Sequence, residues 1–186
     1  MSAIGKTIQV VHPLFAEPGD GELPTSPMQL EVGPIDRKMF ALLNAEWHSR
    51  LPIVTNCFEG VCFGASYKNR YYAVAWWSDP VARALDHTTI IELRRMAICD
   101  EAPRNTASRF LAQMLKSIKK THPHKSKAIS YQDTDVHHGT IYKASNWVAA
   151  NQGARIDESK KYNNWKTRKN RMNQSTAPKV RWEKLL

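Results

Sequence analysis

The segment YQDTDVHHGTIYKASNW, residues 131–147, holds several side chains that could do chemistry within a short stretch. Asp133 and His137 stand four residues apart in a polar loop, so they could share one ion or one proton. Tyr142 follows on a short predicted helix, where its hydroxyl could donate a proton. Two structural alternatives stay open here: an exposed polar loop for the histidines, and a core position with a hydrogen-bonded hydroxyl for Tyr142.

A further histidine, His48, lies in the segment EWHSRLP, residues 46–52, near the end of a predicted helix. A lone histidine in such a place is more often structural than catalytic. Its significance depends on whether His48 reaches the loop that carries Asp133 and His137. Two histidines and one carboxylate would form a facial triad, the ligand set that non-haem iron prefers.

The segment ICDEAPRNTASR, residues 98–109, predicts a helix start that binds phosphate. A helix N-terminus offers unpaired backbone N–H groups and a partial positive charge. Here Arg104 precedes the helix and Arg109 lies within its first turn, a combination that would hold a phosphate or pyrophosphate. The glycines of a P-loop or a Rossmann fingerprint are absent. A capped helix with surface arginines is the alternative.

The patterns around these segments alternate between helix and strand. Hydrophobic spacing predicts helices over 37–47, with Asp36 as N-cap, and over 106–120 and 139–146. Strands are predicted over 57–67, 71–77, 88–98, 127–131 and 147–150, the first two as a hairpin. This order predicts an α/β fold with a mixed central sheet flanked by helices. A site is expected where two central strands part, near their C-terminal ends.

Positive charge is concentrated toward the end of the chain. The formal net charge is +10, and residues 155–186 carry ten basic and three acidic side chains, which is +7 of it. Tyr162, Trp165 and Trp182 are interleaved with these charges and could stack on bases. The pattern favours a nucleic acid as a partner, although a solvated basic face is the alternative. The candidate DNA contacts are Lys160, Lys161, Lys166, Arg168, Lys169 and Arg171.

Several classes of protein are excluded by composition. Hydrophobic residues make up 42% of the 186 residues, too many for a disordered chain. No apolar run reaches the roughly 18 residues that a membrane helix needs, and no signal peptide is visible. Cys57, Cys62 and Cys99 lack the spacing of a disulfide framework or a thiolate zinc site. We therefore expect a single domain in a reducing cytoplasm, with no membrane partner.

With these residues in view, the chain resembles the phage Mom family of DNA-modification proteins. The three quoted segments, EWHSRLP, ICDEAPRNTASR and SYQDTDVHHGTIYKASNW, are similar to that family's signature segments in order and spacing over about residues 36–153. The part GTIYKASNW also resembles the last motif of the wider GNAT acyltransferases. The resemblance implies a GNAT-like fold with a V-shaped opening between two central strands. It also implies double-stranded DNA as the partner, with a carbamoylmethyl group on adenine N6 that shields phage DNA from host restriction.

The resemblance further implies cofactors and roles. Acetyl-CoA or a related acyl donor would enter the opening, and iron is the metal expected. The donor would be held by the backbone of Met96, Ala97 and Ile98 and by Arg104, Asn105, Ser108 and Arg109. Tyr142, His48 and Asp133 are the candidate catalytic residues, with Tyr142 as proton donor. His48, Asp133 and His137 are the candidate metal ligands.

Three segments are predicted: an N-terminal strand and Pro/Gly-rich loop over 1–34, a GNAT-like catalytic domain over 35–154, and a basic C-terminal extension over 155–186 that packs on the domain and contacts DNA. Five of the ten prolines lie between residues 13 and 34. Two other functions stay open. One is a GNAT acetyltransferase that acts on a small amine or a protein lysine. The other is a non-enzymatic DNA-binding protein on a degenerate GNAT scaffold.

Overall fold

A seven-stranded sheet with helices on both faces organises residues 22–48, 59–152 and 178–186, which are the parts of the chain that the structure, a computed structural model, describes. The strands are β1 (Glu31–Ile35), β2 (Val61–Tyr67), β3 (Arg70–Ser78), β4 (Ile90–Ile98), β5 (Lys127–Asp133), β6 (Val148–Gln152) and β7 (Lys179–Leu185). The helices are α1 (Arg37–Trp47), α2 (Thr106–Thr121) and α3 (Thr140–Ala144), preceded by a short 3₁₀ turn at Pro27–Gln29.

The order of the strands explains where the helices lie. Across the sheet the order is β1-β2-β3-β4-β5-β7-β6. β4 and β5 run parallel, and the other neighbouring pairs are antiparallel. A parallel pair needs a crossover connection, usually a helix, and α2 is that connection. The predicted α/β fold with a mixed central sheet flanked by helices is confirmed.

Alternating side chains of β3 support a core on each face of the sheet. Ala73, Ala75 and Trp77 belong to the core beneath α2, whereas Val74 and Trp76 belong to the core beneath α1. The buried stripe of α2 consists of Phe110, Leu111, Met114, Leu115 and Ile118, as the spacing predicts. This two-sided burial leaves the ends of the strands, rather than their faces, as the place for a site.

Local sequence signals explain the start of α1 and the turn between β2 and β3. Asp36 Oδ1 accepts hydrogen bonds from the backbone N–H groups of Lys38 at 2.8 Å and Met39 at 2.9 Å, which caps α1 as predicted. Lys68 and Asn69 adopt φ angles of 47° and 64°. Positive φ at both central residues is the geometry that joins two antiparallel strands with the correct twist.

The structure departs from the predicted segments at both ends. Residues 31–35 form β1 and pair with β2, although they fall in the segment predicted as a proline-rich loop. Pro34 is tolerated because β1 is an edge strand, where a missing N–H costs no ladder bond. Residues 179–185 form β7, which pairs with both β5 and β6. The sheet therefore includes residues from both flanking segments, 1–34 and 155–186, as well as from the segment predicted as the catalytic domain.

The predictions about membrane helices and about the cysteines can be compared with the described residues. No helix in the described ranges is long and apolar enough to cross a membrane. Cys62 and Cys99 are both buried in the core, where a cysteine packs as a small apolar residue. Cys57 lies outside the described residues.

Candidate active site

The parallel pairing between β4 and β5 stops partway along both strands. Paired positions run from Ile90 with Lys127 to Leu93 with Ser130. Beyond them, β4 continues to Ile98 alongside β3, and β5 continues to its end alongside β7. The two central strands therefore part at their C-terminal ends and leave a V-shaped opening. This is the location at which the sequence placed the site.

Met96, Ala97 and Ile98 lie on the β4 side of this opening. Among the described residues, no strand pairs with this stretch of β4 on the side that faces β5. A free strand edge can bind an extended chain through its backbone N–H and C=O groups. The three residues are thus placed where an amide-bearing arm of a donor could lie along them.

α2 begins beside the same opening because it follows the end of β4. Its N-cap, Asn105, has a left-handed φ of 66° and makes no side-chain capping bond. The backbone N–H of Arg109 bonds to the Asn105 carbonyl at 3.2 Å. The backbone N–H groups of Ala107 and Ser108 have no hydrogen-bond partner among the described residues. An uncapped helix start of this kind suits an anion.

The four side chains predicted to bind that anion differ in their exposure and in the hydrogen bonds they already make. Arg104 and Asn105 are exposed. The Ser108 hydroxyl donates to the Asn105 carbonyl at 3.1 Å. Arg109 Nε donates to the carbonyl of Pro27 at 2.8 Å and so ties α2 to the 3₁₀ turn. Arg104 is therefore the more exposed of the two predicted cations, and the roles of all four residues stay predictions.

Tyr142 stands at the vertex of the opening. Its hydroxyl lies 2.9 Å from Ser130 Oγ, and Ser130 is the last β5 residue paired with β4. The ring stacks on Trp182 with 5.3 Å between centroids and meets Trp147 edge-on at 5.7 Å. Burial raises the pKa of Tyr142, so the hydroxyl is protonated at neutral pH. The structure thus places Tyr142 in the core with its one polar side-chain atom at the point where the strands part.

Gln132 ties the loop that carries Asp133 and His137 to the core. Its Nε2 donates to the His137 carbonyl, and its Oε1 accepts from Trp182 Nε1 at 2.7 Å. The Asp133 carbonyl also accepts the His137 N–H at 3.0 Å, and its Oδ1 accepts the Asp135 N–H at 3.1 Å. These bonds hold the backbone of the loop in one conformation at the mouth of the opening.

Gly139 occupies a position in this loop where a side chain would be strained. We therefore expect Gly139→Ala to lower the free energy of unfolding by about 1–3 kcal/mol. Its φ is +70°, and a Cβ would lie 2.6 Å from both Gln132 Oε1 and Trp182 Cζ2. Urea unfolding measures the effect. The matched control is Gly33→Ala, because a Cβ there has no atom within 4 Å. Equal stability of the two variants would contradict the packing described for the loop.

His48 lies within range of the charge of Arg95 on β4 and of His137 in the loop after β5. His48 is half-buried and caps α1, its backbone N–H donating to the Asn44 carbonyl at 3.0 Å. Burial lowers the pKa of His48, and the charges of Arg95 and His137 lower it further. The end of α1, β4 and the loop after β5 therefore lie near one another, and the catalytic role of His48 stays a prediction. Because its pKa is lowered, His48 is neutral at neutral pH.

The predicted iron ligands do not form a metal site in the part of the chain that the structure describes. There, no three His, Cys, Asp or Glu side chains are grouped so that they could hold a metal ion. One oxygen of Asp133 accepts a backbone N–H, and the positive charge of Arg95 acts on His48 and would repel a metal ion. The triad of His48, Asp133 and His137 is thus not assembled, and these residues do not fit iron.

Sequence analysis missed three residues of this site: Ser130, Gln132 and Arg95. Ser130 and Gln132 are buried polar residues on a strand that was recognised for its apolar neighbours. A buried polar side chain needs a partner, so their position in a short apolar strand was a usable signal. The adjacent arginines of ELRRMAI were another signal, because charged residues are uncommon in the middle of a central strand.

The six predicted DNA contacts lie outside the described residues. The residues that flank their segment, Gln152 and Pro178, are described. Residues 153–177 connect β6 to β7. Gln152 pairs with Val180, and the backbone N–H and hydroxyl of Thr134 both donate to the Pro178 carbonyl, at 3.2 and 2.9 Å. The basic segment thus leaves and rejoins the sheet beside the loop that carries His137. The six residues are Lys160, Lys161, Lys166, Arg168, Lys169 and Arg171.

Comparisons with known proteins agree with this architecture. An acetyltransferase from Salmonella typhimurium, described as putative and solved with its cofactor acetyl-CoA, has a TM-score of 0.59 at 6% identity and covers 84% of this chain and 94% of its own. A GNAT-family acetyltransferase from Streptococcus pneumoniae has a TM-score of 0.58 at 10% identity, covering 84% and 99%. An IAA acetyltransferase from Bacillus cereus has a TM-score of 0.55 at 14% identity, covering 84% and 99%.

At these identities the three likenesses establish the fold alone. No curated protein shows significant sequence similarity to the chain. A family model described as the Mom protein family matches residues 29–185, which includes all seven strands and all three helices.

Proposed function

Because this chain belongs to the Mom protein family and has the fold of GNAT acetyltransferases, we propose that it is a phage DNA-modification enzyme that adds a carbamoylmethyl group to adenine N6 and so protects DNA from host restriction. The observation that carries the proposal is the opening between β4 and β5, with Tyr142 at its vertex and the uncapped start of α2 beside it. An acyl-transfer role follows from the family and the fold, and the DNA base is the finer part of the proposal.

The opening fits an acyl donor of the acetyl-CoA kind on two observations. The unpaired stretch of β4 at Met96, Ala97 and Ile98 would bind the amides of the donor's arm. The unpartnered N–H groups of Ala107 and Ser108 would bind its phosphates. The side chains expected around those phosphates are Arg104, Asn105, Ser108 and Arg109. When bound, such a donor would supply an activated two-carbon unit.

Plain acyl transfer to N6 would give an N-acetyl adenine, so the proposed reaction needs a donor related to acetyl-CoA that already carries the amide and has a leaving group on its methyl carbon. N6 would displace that leaving group, and the residues of the opening would supply the proton donor and the proton acceptor. Tyr142 would give its proton to the leaving group, because its raised pKa keeps the hydroxyl protonated. His48 would accept the proton that N6 loses, because its lowered pKa keeps the imidazole neutral. Asp133 was expected to share this task, and its Oδ1 instead accepts the Asp135 N–H. No step is assigned to iron, since the predicted ligands do not fit it.

The DNA substrate has to be opened for this reaction. Adenine N6 is a weak nucleophile because its lone pair is delocalised into the ring, and it is stacked inside the duplex. An enzyme that acts on it must extrude the base at a cost of a few kcal/mol. The basic segment 153–177, whose two ends lie beside the His137 loop, would hold the phosphates of the duplex during that step.

Mass spectrometry of nucleosides tests the proposal most directly. DNA from cells that express the chain is digested and compared with DNA from cells that express Tyr142→Phe and from cells with empty vector. We expect a new adenosine species, heavier by one carbamoylmethyl group, with the wild-type chain alone. Unmodified DNA together with an acetylated small amine or protein lysine would assign the GNAT acetyltransferase alternative. Salt-sensitive DNA binding with no modified product at all would assign the non-enzymatic DNA-binding alternative.

A further inference from the structure

A bulge in β4 places two successive arginines on the same face of the sheet. Trp76 pairs with Arg95 and Trp77 pairs with Leu93, so Arg94 is the extra residue between them. In a regular strand, successive side chains point to opposite faces. Arg95 instead follows Trp76 onto the α1 face, and the Arg94 guanidinium also lies over the Trp76 ring, at 5.6 Å. A bulge that re-aims a side chain beside an opening is a frequent feature of functional sites.

The two arginines differ in their partners. Arg94 Nη1 donates to the Glu92 carboxylate at 3.2 Å and stacks on Trp76, so its charge is compensated. Arg95 Nη1 donates to the Arg94 carbonyl at 3.3 Å, and its Nε is buried with no hydrogen-bond partner. No described residue forms an ion pair with Arg95. Arginine keeps its charge in proteins, and a partly buried charge is costly unless an opposite charge pairs with it. The Arg95 guanidinium therefore favours the binding of an anion.

Among the described residues, the groups whose charges act on Arg95 and on its neighbour His48 are arginines and a histidine rather than carboxylates. Burial lowers the pKa of Arg95, and the neighbouring Arg94 lowers it further. Arg95 and His137 in turn lower the pKa of half-buried His48. Arg95 lies on the face of the sheet that α1 covers, because its partner Trp76 and the next residue on that face, Ala97, belong to the core beneath α1. The Arg95 guanidinium is thus separate from the start of α2, where the donor's phosphates are expected.

We propose that Arg95, flanked by His48 and His137, binds one phosphodiester of the target DNA strand next to the extruded adenine. The inference rests on the proposed function and names the contact that sets the register of the DNA. The planar guanidinium matches two phosphate oxygens at once, and phosphate contacts position a strand without reading its sequence. A phosphate held at Arg95 would place the adjoining base beside His48, at the mouth of the opening. Both ends of the basic segment return to this same mouth.

Quantitative DNA binding tests the contact. The probe is a labelled duplex with one adenine opposite an abasic site, which lowers the cost of extrusion. Arg95→Gln should weaken binding by about tenfold or more at fixed salt. The slope of log affinity against log salt should become shallower by about 0.9, the loss of one phosphate contact. Arg94→Gln is the matched control on the neighbouring residue, and it should leave the slope unchanged because Glu92 and Trp76 already engage Arg94.

A neutral linkage in the DNA identifies the phosphate. One uncharged methylphosphonate is moved along the target strand, and each position is combined with Arg95→Gln in a double-mutant cycle. We expect strong coupling at one linkage adjoining the adenine and additive effects elsewhere. Arg95→Lys should retain the slope but lose part of the affinity, because it keeps the charge without the fork. Melting temperatures of all variants distinguish loss of contact from loss of fold, and Arg95→Lys keeps the test valid if Arg95→Gln unfolds.

The outcomes separate this contact from the proposed function. Coupling at one linkage supports the contact, even if mass spectrometry finds no modified adenosine. Wild-type binding with additive effects at every linkage overturns the contact while leaving DNA modification intact. A change in affinity for the CoA donor with unchanged DNA binding also overturns it, because Arg95 would then serve the donor's phosphates. No binding of the duplex by the wild-type chain overturns both.

Discussion

Replacing Tyr142 with phenylalanine is expected to lower the rate of adenine modification by about 10²–10⁴-fold, the usual contribution of a proton donor, with the fold retained. The substitution removes one hydroxyl from a ring that stays stacked on Trp182 and edge-on to Trp147. The hydroxyl is protonated at neutral pH because burial raises the pKa of Tyr142. Single-turnover rates of modification on defined DNA measure the effect.

The control for this prediction is Ser130→Ala, which removes the partner of the hydroxyl and leaves the tyrosine. We expect a smaller loss of rate for Ser130→Ala, since the proton remains and only its orientation is relaxed. Each variant should lose about 1 kcal/mol of stability from the broken hydrogen bond, so their melting temperatures should be similar. If Tyr142→Phe modified DNA at the wild-type rate, the tyrosine would be a core residue only.

Neutralising the basic segment should have the second large effect, on DNA affinity. If the six cations contact phosphates, they contribute about −5 to the slope of log affinity against log salt. Replacing all six with glutamine should make the slope shallower by that amount, leave about −0.9 from Arg95, and remove measurable binding at physiological salt. Fluorescence anisotropy over a salt series measures both quantities. The six substituted residues are Lys160, Lys161, Lys166, Arg168, Lys169 and Arg171.

A matched control separates a specific interface from net charge. Lys116, Lys119 and Lys120 are exposed near the C-terminal end of α2, away from the helix start that borders the opening. Their replacement with glutamine should leave the slope unchanged, whereas replacement of Lys166, Arg168 and Lys169 should make it shallower by about 2.7. Equal effects of the two triple variants would mean that DNA responds to overall charge, and the segment would lose its assigned role.

The two roles considered for Tyr142, proton donor and core residue, are compatible with each other. The sequence left open whether this tyrosine is a proton donor or a core residue with a bonded hydroxyl. The ring is buried among tryptophans, and its hydroxyl meets Ser130 where β4 and β5 part. Core packing is how such a hydroxyl can be held in place. The predicted iron site is not formed, because it needed three side chains from two distant segments to converge on one point.

Local patterns in the sequence determined most of the elements. Asp36 caps α1, the apolar stripe of α2 is buried, and Lys68 and Asn69 turn the chain between β2 and β3. These features depend on neighbours within a few residues, which a sequence displays directly. The resemblance of three short segments to the Mom family was confirmed over residues 29–185 for the same reason, since a motif is local too.

Tertiary structure alone decided what those elements build together. The strand β7 completes the sheet between β5 and β6, so the basic segment is an insertion whose ends lie by the His137 loop. The bulge at Arg94 turns Arg95 toward His48, and Gln132 joins the loop to Trp182. Each of these depends on strand register and on partners far apart in the chain. No periodicity in the sequence encodes such pairings, because they are chosen by the packing of the whole sheet.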